Sequence, residues 1–192
     1  ILLWFDLITK ANTYPMGSKI SSDKNPVFEV KAIGSFKQKA GCAEFNLSST
    51  DSTRLNEICK GECFNPSKER RNITRIEIIK ITPQNYNDEP IDPLIMDTWK
   101  VFECEPSQDG CKIRFTDKDF VKNERDSVYY VRAIEEPSLR VNGDNLRCEY
   151  DENGNCTKVN ICHGSYLTDR NDNCATPSEE RAWSSPIYVN QI

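Results

Sequence analysis

At 192 residues and 37% hydrophobic content, the chain is long enough to bury one sizeable core, and its mean hydropathy of −0.66 assigns much of the rest to polar loop. A net charge of −5 argues against a basic nucleic-acid-binding face, since the cluster Lys68, Arg70 and Arg71 is interrupted by Glu69 and reads as a solvated turn. The longest apolar run, residues 1–8 with Asp6 inside it, is far short of the ~20 residues a membrane-spanning helix needs, so no transmembrane segment is expected.

Taken in chain order, the strand signals dominate. Residues 1–8 read as a buried strand without an initiator methionine, an n-region or a cleavage site. They are expected to be the start of a tail cut from a longer polypeptide, with any export signal upstream. Residues 26–33 alternate, with Phe28, Val30 and Ala32 on one face and Glu29 and Lys31 on the other. Helix is scarce; its best case is Ser52–Cys59, with Asp51 or Ser52 as N-cap and Gly61 as the stop. Residues 75–81 form a β-branched strand whose phase slips between Ile78 and Ile79, which predicts a bulge or burial on both faces. Residues 92–98 are expected to form a helical turn or two. Strands follow at 99–104, 112–115, 127–134 and 186–189, and between the last two lies a stretch rich in Asn, Asp and Gly with little periodicity.

The expected fold is mainly β: an antiparallel β-sandwich with one or two short helices and long disulfide-stapled loops. Residues 1–136 would form the sandwich core, 137–185 a cysteine-rich loop region packed on the same domain, and 186–192 the closing strand.

Nine cysteines point to an oxidising compartment, hence an exported protein in the periplasm, on the cell surface or outside the cell. Cys104 and Cys111 flank the turn Gln108-Asp109-Gly110 and form the clearest pair. Proximity alone suggests Cys148 with Cys156, Cys162 with Cys174 and Cys59 with Cys63, leaving Cys42 apart. Zinc sites use close Cys-x-x-Cys pairs or cysteines joined by histidines, and neither pattern occurs.

His163 is the only histidine, so the chain alone builds neither a nucleophilic triad of the usual kind nor a multi-histidine metal centre. No catalytic residue and no cofactor is assigned to it. Asp169, Asn171, Asn173 and Glu180 have the ligand spacing of an EF-hand calcium loop, but Cys174 stands where the sharp-turn glycine belongs. An Asn/Asp-rich turn is the default reading there, and calcium the alternative. Asp151, Asn153 and Asn155 repeat the fragment without the closing glutamate. Asp117, Asp119, Glu135 and Glu136 fall at strand ends, where solvated carboxylates are ordinary. Asn46, Asn72 and Asn155 begin N-glycosylation patterns that chance also produces. Trp4, Trp99, Trp183, Tyr129 and Tyr130 lie in strand-like runs, which favours core positions over stacking platforms.

The closing segment Glu179-Glu180-Arg181-Ala182-Trp183-Ser184-Ser185-Pro186-Ile187-Tyr188-Val189 resembles the final signature of a bacterial family of exported proteins, described as PHP-like (polymerase and histidinol phosphatase-like) metal-dependent hydrolases. Tyr14-Pro15-Met16-Gly17, Gly41-Cys42, Cys59-Lys60-Gly61-Glu62-Cys63-Phe64-Asn65-Pro66, Tyr130-Val131-Arg132-Ala133-Ile134-Glu135-Glu136-Pro137 and Asn145-Leu146-Arg147-Cys148 fit the same family in the same order. The resemblance implies a preceding barrel domain whose His, Asp and Glu residues hold divalent metal. None of those ligands has a matching position here. The chain is thus expected to be the C-terminal accessory domain of such a hydrolase, with the barrel of the same polypeptide as its partner. Arg132, Glu135, Arg181 and Trp183 are candidates for the junction. The alternative is a stand-alone extracellular binding or assembly module; an independent enzyme ranks last because the acid–base inventory is thin.

Overall fold

The computed structural model describes residues 1–59, 63–144, 146–162 and 174–192. In chain order the elements are β1 (Leu2–Ile8), β2 (Thr13–Pro15), β3 (Lys19–Ser22), β4 (Val27–Ile33), β5 (Phe36–Ala40), α1 (Glu44–Ser49), α2 (Ser52–Cys59), β6 (Phe64–Arg70) and β7 (Ile73–Ile81). They continue with β8 (Ile95–Glu103), β9 (Cys111–Thr116), α3 (Phe120–Asn123), β10 (Ser127–Glu135), β11 (Ser138–Val141), β12 (Cys148–Tyr150), β13 (Cys156–Val159), β14 (Ala175–Ser178), β15 (Arg181–Trp183) and β16 (Ile187–Gln191).

Two sheets enclose the core. The smaller has the order β2-β1-β4-β9; the larger runs β3-β16-β10-β7-β8, with β15 also paired to β10. The pairing is antiparallel except between β16 and β3. The period-2 pattern accounts for the packing: Phe28, Val30 and Ala32 of β4 and Tyr129, Val131 and Ala133 of β10 are all fully buried and belong to one apolar cluster. Phe28 stacks between Phe5 and Phe115 at ring separations of 5.3 and 5.0 Å. It also meets Tyr129 of the facing sheet at 4.7 Å. Such aromatic pairs add about 0.5–1.5 kcal/mol each beyond their area.

The phase slip in β7 has a clear origin. Ile76 and Ile78 join the inter-sheet core, while Ile79, on the opposite face, is also fully buried. The register with β8 shifts between Ile78 and Lys80. The extra residues are on β8, where Thr98 takes φ 54°, so β7 is buried on both faces and the bulge belongs to its neighbour.

Three expectations need correction. Residues 92–98 are not helical beyond a 3-10 turn at Asp92–Leu94; β8 starts at once, because its residues find β7 as a partner. Lys68 and Arg70 lie within β6 rather than in a solvated turn, and the Arg70 guanidinium sits 3.8 Å from the centroid of the Phe36 ring. The stretch 137–185 contains short strands, which pair as β11 with β14 and β12 with β13, and β15 adds to the large sheet. Helix α2 spans its expected residues, and the Asp51 carboxylate accepts from the Thr53 and Arg54 amides at 3.0 and 3.3 Å, making Asp51 the cap.

Candidate functional site at the end of strand β10

Segments far apart in the sequence meet along strand β10. Strand β10 pairs with β15 through Arg132–Trp183, Ala133–Ala182 and Ile134–Arg181, and with β16 through Ser127–Val189 to Tyr129–Ile187. The kink between the two partners is held by Ser184: its amide donates to the Val131 carbonyl, and its hydroxyl accepts from the Val131 amide, both at 3.0 Å. Gly17 donates its amide to the Pro186 carbonyl at 2.9 Å, tying Tyr14–Gly17 to the same point. Elsewhere, the Gly41 amide donates to the Cys63 carbonyl, and Asn65 Nδ2 donates to the Gly41 carbonyl at 2.6 Å.

At the end of β10, Glu135 is fully buried. Its carboxylate accepts from the Ser35 amide at 2.5 Å and from the Ser35 hydroxyl at 3.0 Å. It borders a cavity of about 400 Å³ lined also by Ile1, Arg140, Glu180, Arg181 and Ala182. Arg140 Nε donates to Glu180 at 2.7 Å. This is a polar recess in which two carboxylates face two guanidinium groups. The reading of Glu135 as a solvated strand-end carboxylate is therefore corrected: the Ser35 segment closes over it and supplies the hydrogen bonds that burial demands.

Asp117 is corrected in the same way. It is fully buried, receives Lys80 Nζ at 2.5 Å and the Tyr129 hydroxyl at 2.6 Å on the same oxygen, and takes the Asp119 amide at 3.1 Å on the other. Burial first, then the bond to Asp117, raises the Tyr129 phenol well above its ordinary range. Lys80 Nζ also lies 5.3 Å from the Trp99 ring centroid. Lys80, Asp117 and Tyr129 are enclosed by the core, so this constellation is a structural plug rather than an open site.

The outer face of the large sheet carries an ion-pair lattice. Arg75 grips Glu179 with both terminal nitrogens at 2.7 Å and reaches Glu77 at 2.9 Å; Arg132 bridges Glu77 and Asp97, both at 2.8 Å. The Arg75 bond holds the Glu179 carboxyl below its usual range.

Of the calcium candidates, Asp169, Asn171 and Asn173 lie outside the described residues, as does His163; Glu180 is engaged by Arg140. The related Asp151 fragment is a turn. Its carboxylate accepts the Asn153 and Asn155 amides at 2.9 Å, and these backbone bonds, Asn155 first, lower its pKa. Among the described residues no group of three or more His, Cys, Asp or Glu is disposed to hold a metal ion. No described helix is long and apolar enough to cross a membrane.

The disulfides are Cys42–Cys63, Cys104–Cys111, Cys148–Cys156 and Cys162–Cys174. The pairing of Cys63 with Cys59 is corrected: the β5–β6 ribbon matches Ala40 with Phe64 and so brings Cys42 beside Cys63. The Cys104–Cys111 bridge joins the end of β8 to the start of β9, which belong to different sheets, so it clamps the two layers at their edge. Sequence reasoning also missed two exposed tryptophans. Trp4 is 43% and Trp183 59% exposed, whereas Trp99 packs against Phe115 and Tyr129 as expected.

No protein family, curated protein or solved structure matches this chain.

Proposed function

We propose that this chain is the C-terminal accessory β-sandwich of an exported PHP-like metal-dependent hydrolase, supporting a preceding barrel rather than supplying reacting groups. One observation supports the reading: three of the segments on which the resemblance rests are mated in the fold. Tyr130–Pro137 lies against Glu179–Val189, and Tyr14–Gly17 is tied to Pro186. Around buried Glu135, the recess presents Arg140, Glu180 and Arg181 as charged hydrogen-bonding groups to the barrel. Arg132, by contrast, serves the outer lattice of the large sheet. Four disulfides support an export route and a periplasmic, cell-surface or extracellular location.

The deciding experiment is the intact denatured mass of the protein from its native source. A mass of about 50 kDa or more is expected, because a barrel of this kind adds roughly 250 residues. A mass near 22.0 kDa overturns the accessory reading. The exposed faces of Trp4 and Trp183 then favour the second reading, an extracellular binding module that uses them as stacking platforms. Export has its own test. With eight of nine cysteines bridged, thiol titration of the denatured, unreduced protein should find at most about one thiol per chain, and five or more would reject oxidation in the native compartment.

A further inference from the structure

At the open end of the sandwich, away from the Glu135 recess, a cleft of about 520 Å³ separates the smaller sheet from β3 of the larger one. That size falls within the range of small-molecule sites, about 300–1,000 Å³. Its floor is apolar: Leu7 from β1, Tyr14 from β2 and Ile20 from β3, all packed on the main core. Its rim carries Lys10, Lys24 and Arg114, and among the described residues no aspartate or glutamate lines it. This concentration of positive charge stands on a chain whose net charge is −5.

The three cations are not committed elsewhere. Glu29 stands opposite Arg114 in the β4–β9 register, yet its carboxylate is held by Lys112 at 3.0 Å. Among the described residues neither Lys10, Lys24 nor Arg114 has an ion-pair partner. Nearby hydroxyls are partly occupied: Thr9 donates to the Asn12 carbonyl and Ser22 to the Lys24 carbonyl. The Tyr14 oxygen accepts from Asn12 Nδ2 at 3.3 Å, which leaves its own proton available.

We propose that this cleft binds a small amphipathic carboxylate. The apolar body lies on Leu7, Tyr14 and Ile20, and the carboxylate meets Arg114 and the two lysines. A planar guanidinium matches a carboxylate with two parallel hydrogen bonds, whereas the lysines act as point charges. The occupant is a free small molecule, because a cleft of about 520 Å³ has the size of a small-molecule site. The inference is independent of the accessory-domain reading, since it uses none of the residues at the Glu135 recess.

The test is calorimetric titration of the full disulfide-bonded chain with monomeric decanoate, with 1-decanol as the neutral control. Saturable one-to-one binding is expected, with decanol at least about tenfold weaker. Lys10→Glu/Lys24→Glu should weaken decanoate by about tenfold or more while circular dichroism stays unchanged. Ile20→Trp, which fills the floor, should weaken decanoate and decanol together. Equal affinity for the alcohol, unchanged affinity in the charge-reversed variant, or no saturation below about 1 mM overturns the proposal. So does binding to phosphatidylglycerol vesicles without binding to monomeric decanoate.

Discussion

Lys80 and Asp117 are a charge pair in the driest part of the molecule, at 3% and 0% residue exposure. Such a pair gives little net stability as a unit, because desolvating both ions offsets their attraction. Breaking it is another matter: Asp117→Ala leaves an ammonium group stranded between the sheets. We expect a loss of about 3–5 kcal/mol in denaturant unfolding, with Lys80→Met/Asp117→Leu recovering most of it; a loss below about 1 kcal/mol would mean that water reaches the lysine. Tyr129 gives the site a pH signature. Its folded pKa lies above the unfolded value of about 10, so its contribution is complete below pH ~10 and declines as pH rises towards the folded value. Unfolding free energies at pH 9 and 11 should therefore fall, and Tyr129→Phe should flatten that fall. Equal slopes in the two proteins would remove Tyr129 as its source.

At the scale of elements, the corner between β8 and β9 is a tight joint. Gly110 has φ 87°, and a Cβ there would lie 2.1 Å from the Ala32 carbonyl oxygen. Gly110→Ala is expected to cost at least about 2 kcal/mol, combining left-handed strain with a backbone clash. The neighbouring Cys104–Cys111 bridge closes a short loop, for which chain entropy suggests about 2.5 kcal/mol. Replacing both cysteines by alanine should reduce stability by roughly that amount, read from the shift of the denaturant midpoint. No shift would mean that β8 and β9 hold the corner unaided.

The molecule as a whole has a graded build. The two sheets share one apolar cluster, whereas β11, β12, β13 and β14 have few buried side chains and rely on Cys148–Cys156 and Cys162–Cys174. Reduction should therefore act unevenly. Hydrogen exchange in dithiothreitol is expected to speed first at β11–β14, while β4, β7 and β10 stay protected. Simultaneous loss of protection in both regions would show that the cysteine-rich portion is part of the same cooperative unit.

Sequence alone determined the strands whose side chains alternate, because burial of one face imposes period 2: β4 and β10 could be read residue by residue. It also determined the oxidised character of the chain and the scarcity of helix. Tertiary structure decided the rest. Asp117 and Glu135 look like ordinary strand-end acids until Lys80 and Tyr129 close on the one and Ser35 on the other, and those partners lie far from them in the sequence. Cys63 chose Cys42 over the nearer Cys59 because cross-strand register, not chain distance, sets which cysteines touch. Trp4 and Trp183 are exposed although they sit in strands: their register partners are Lys31 and Arg132, not residues of the apolar core. The cleft rimmed by Lys10, Lys24 and Arg114 gathers residues that follow β1, precede β4 and lie in β9, and the order β1-β4-β9 within the smaller sheet brings their charges together.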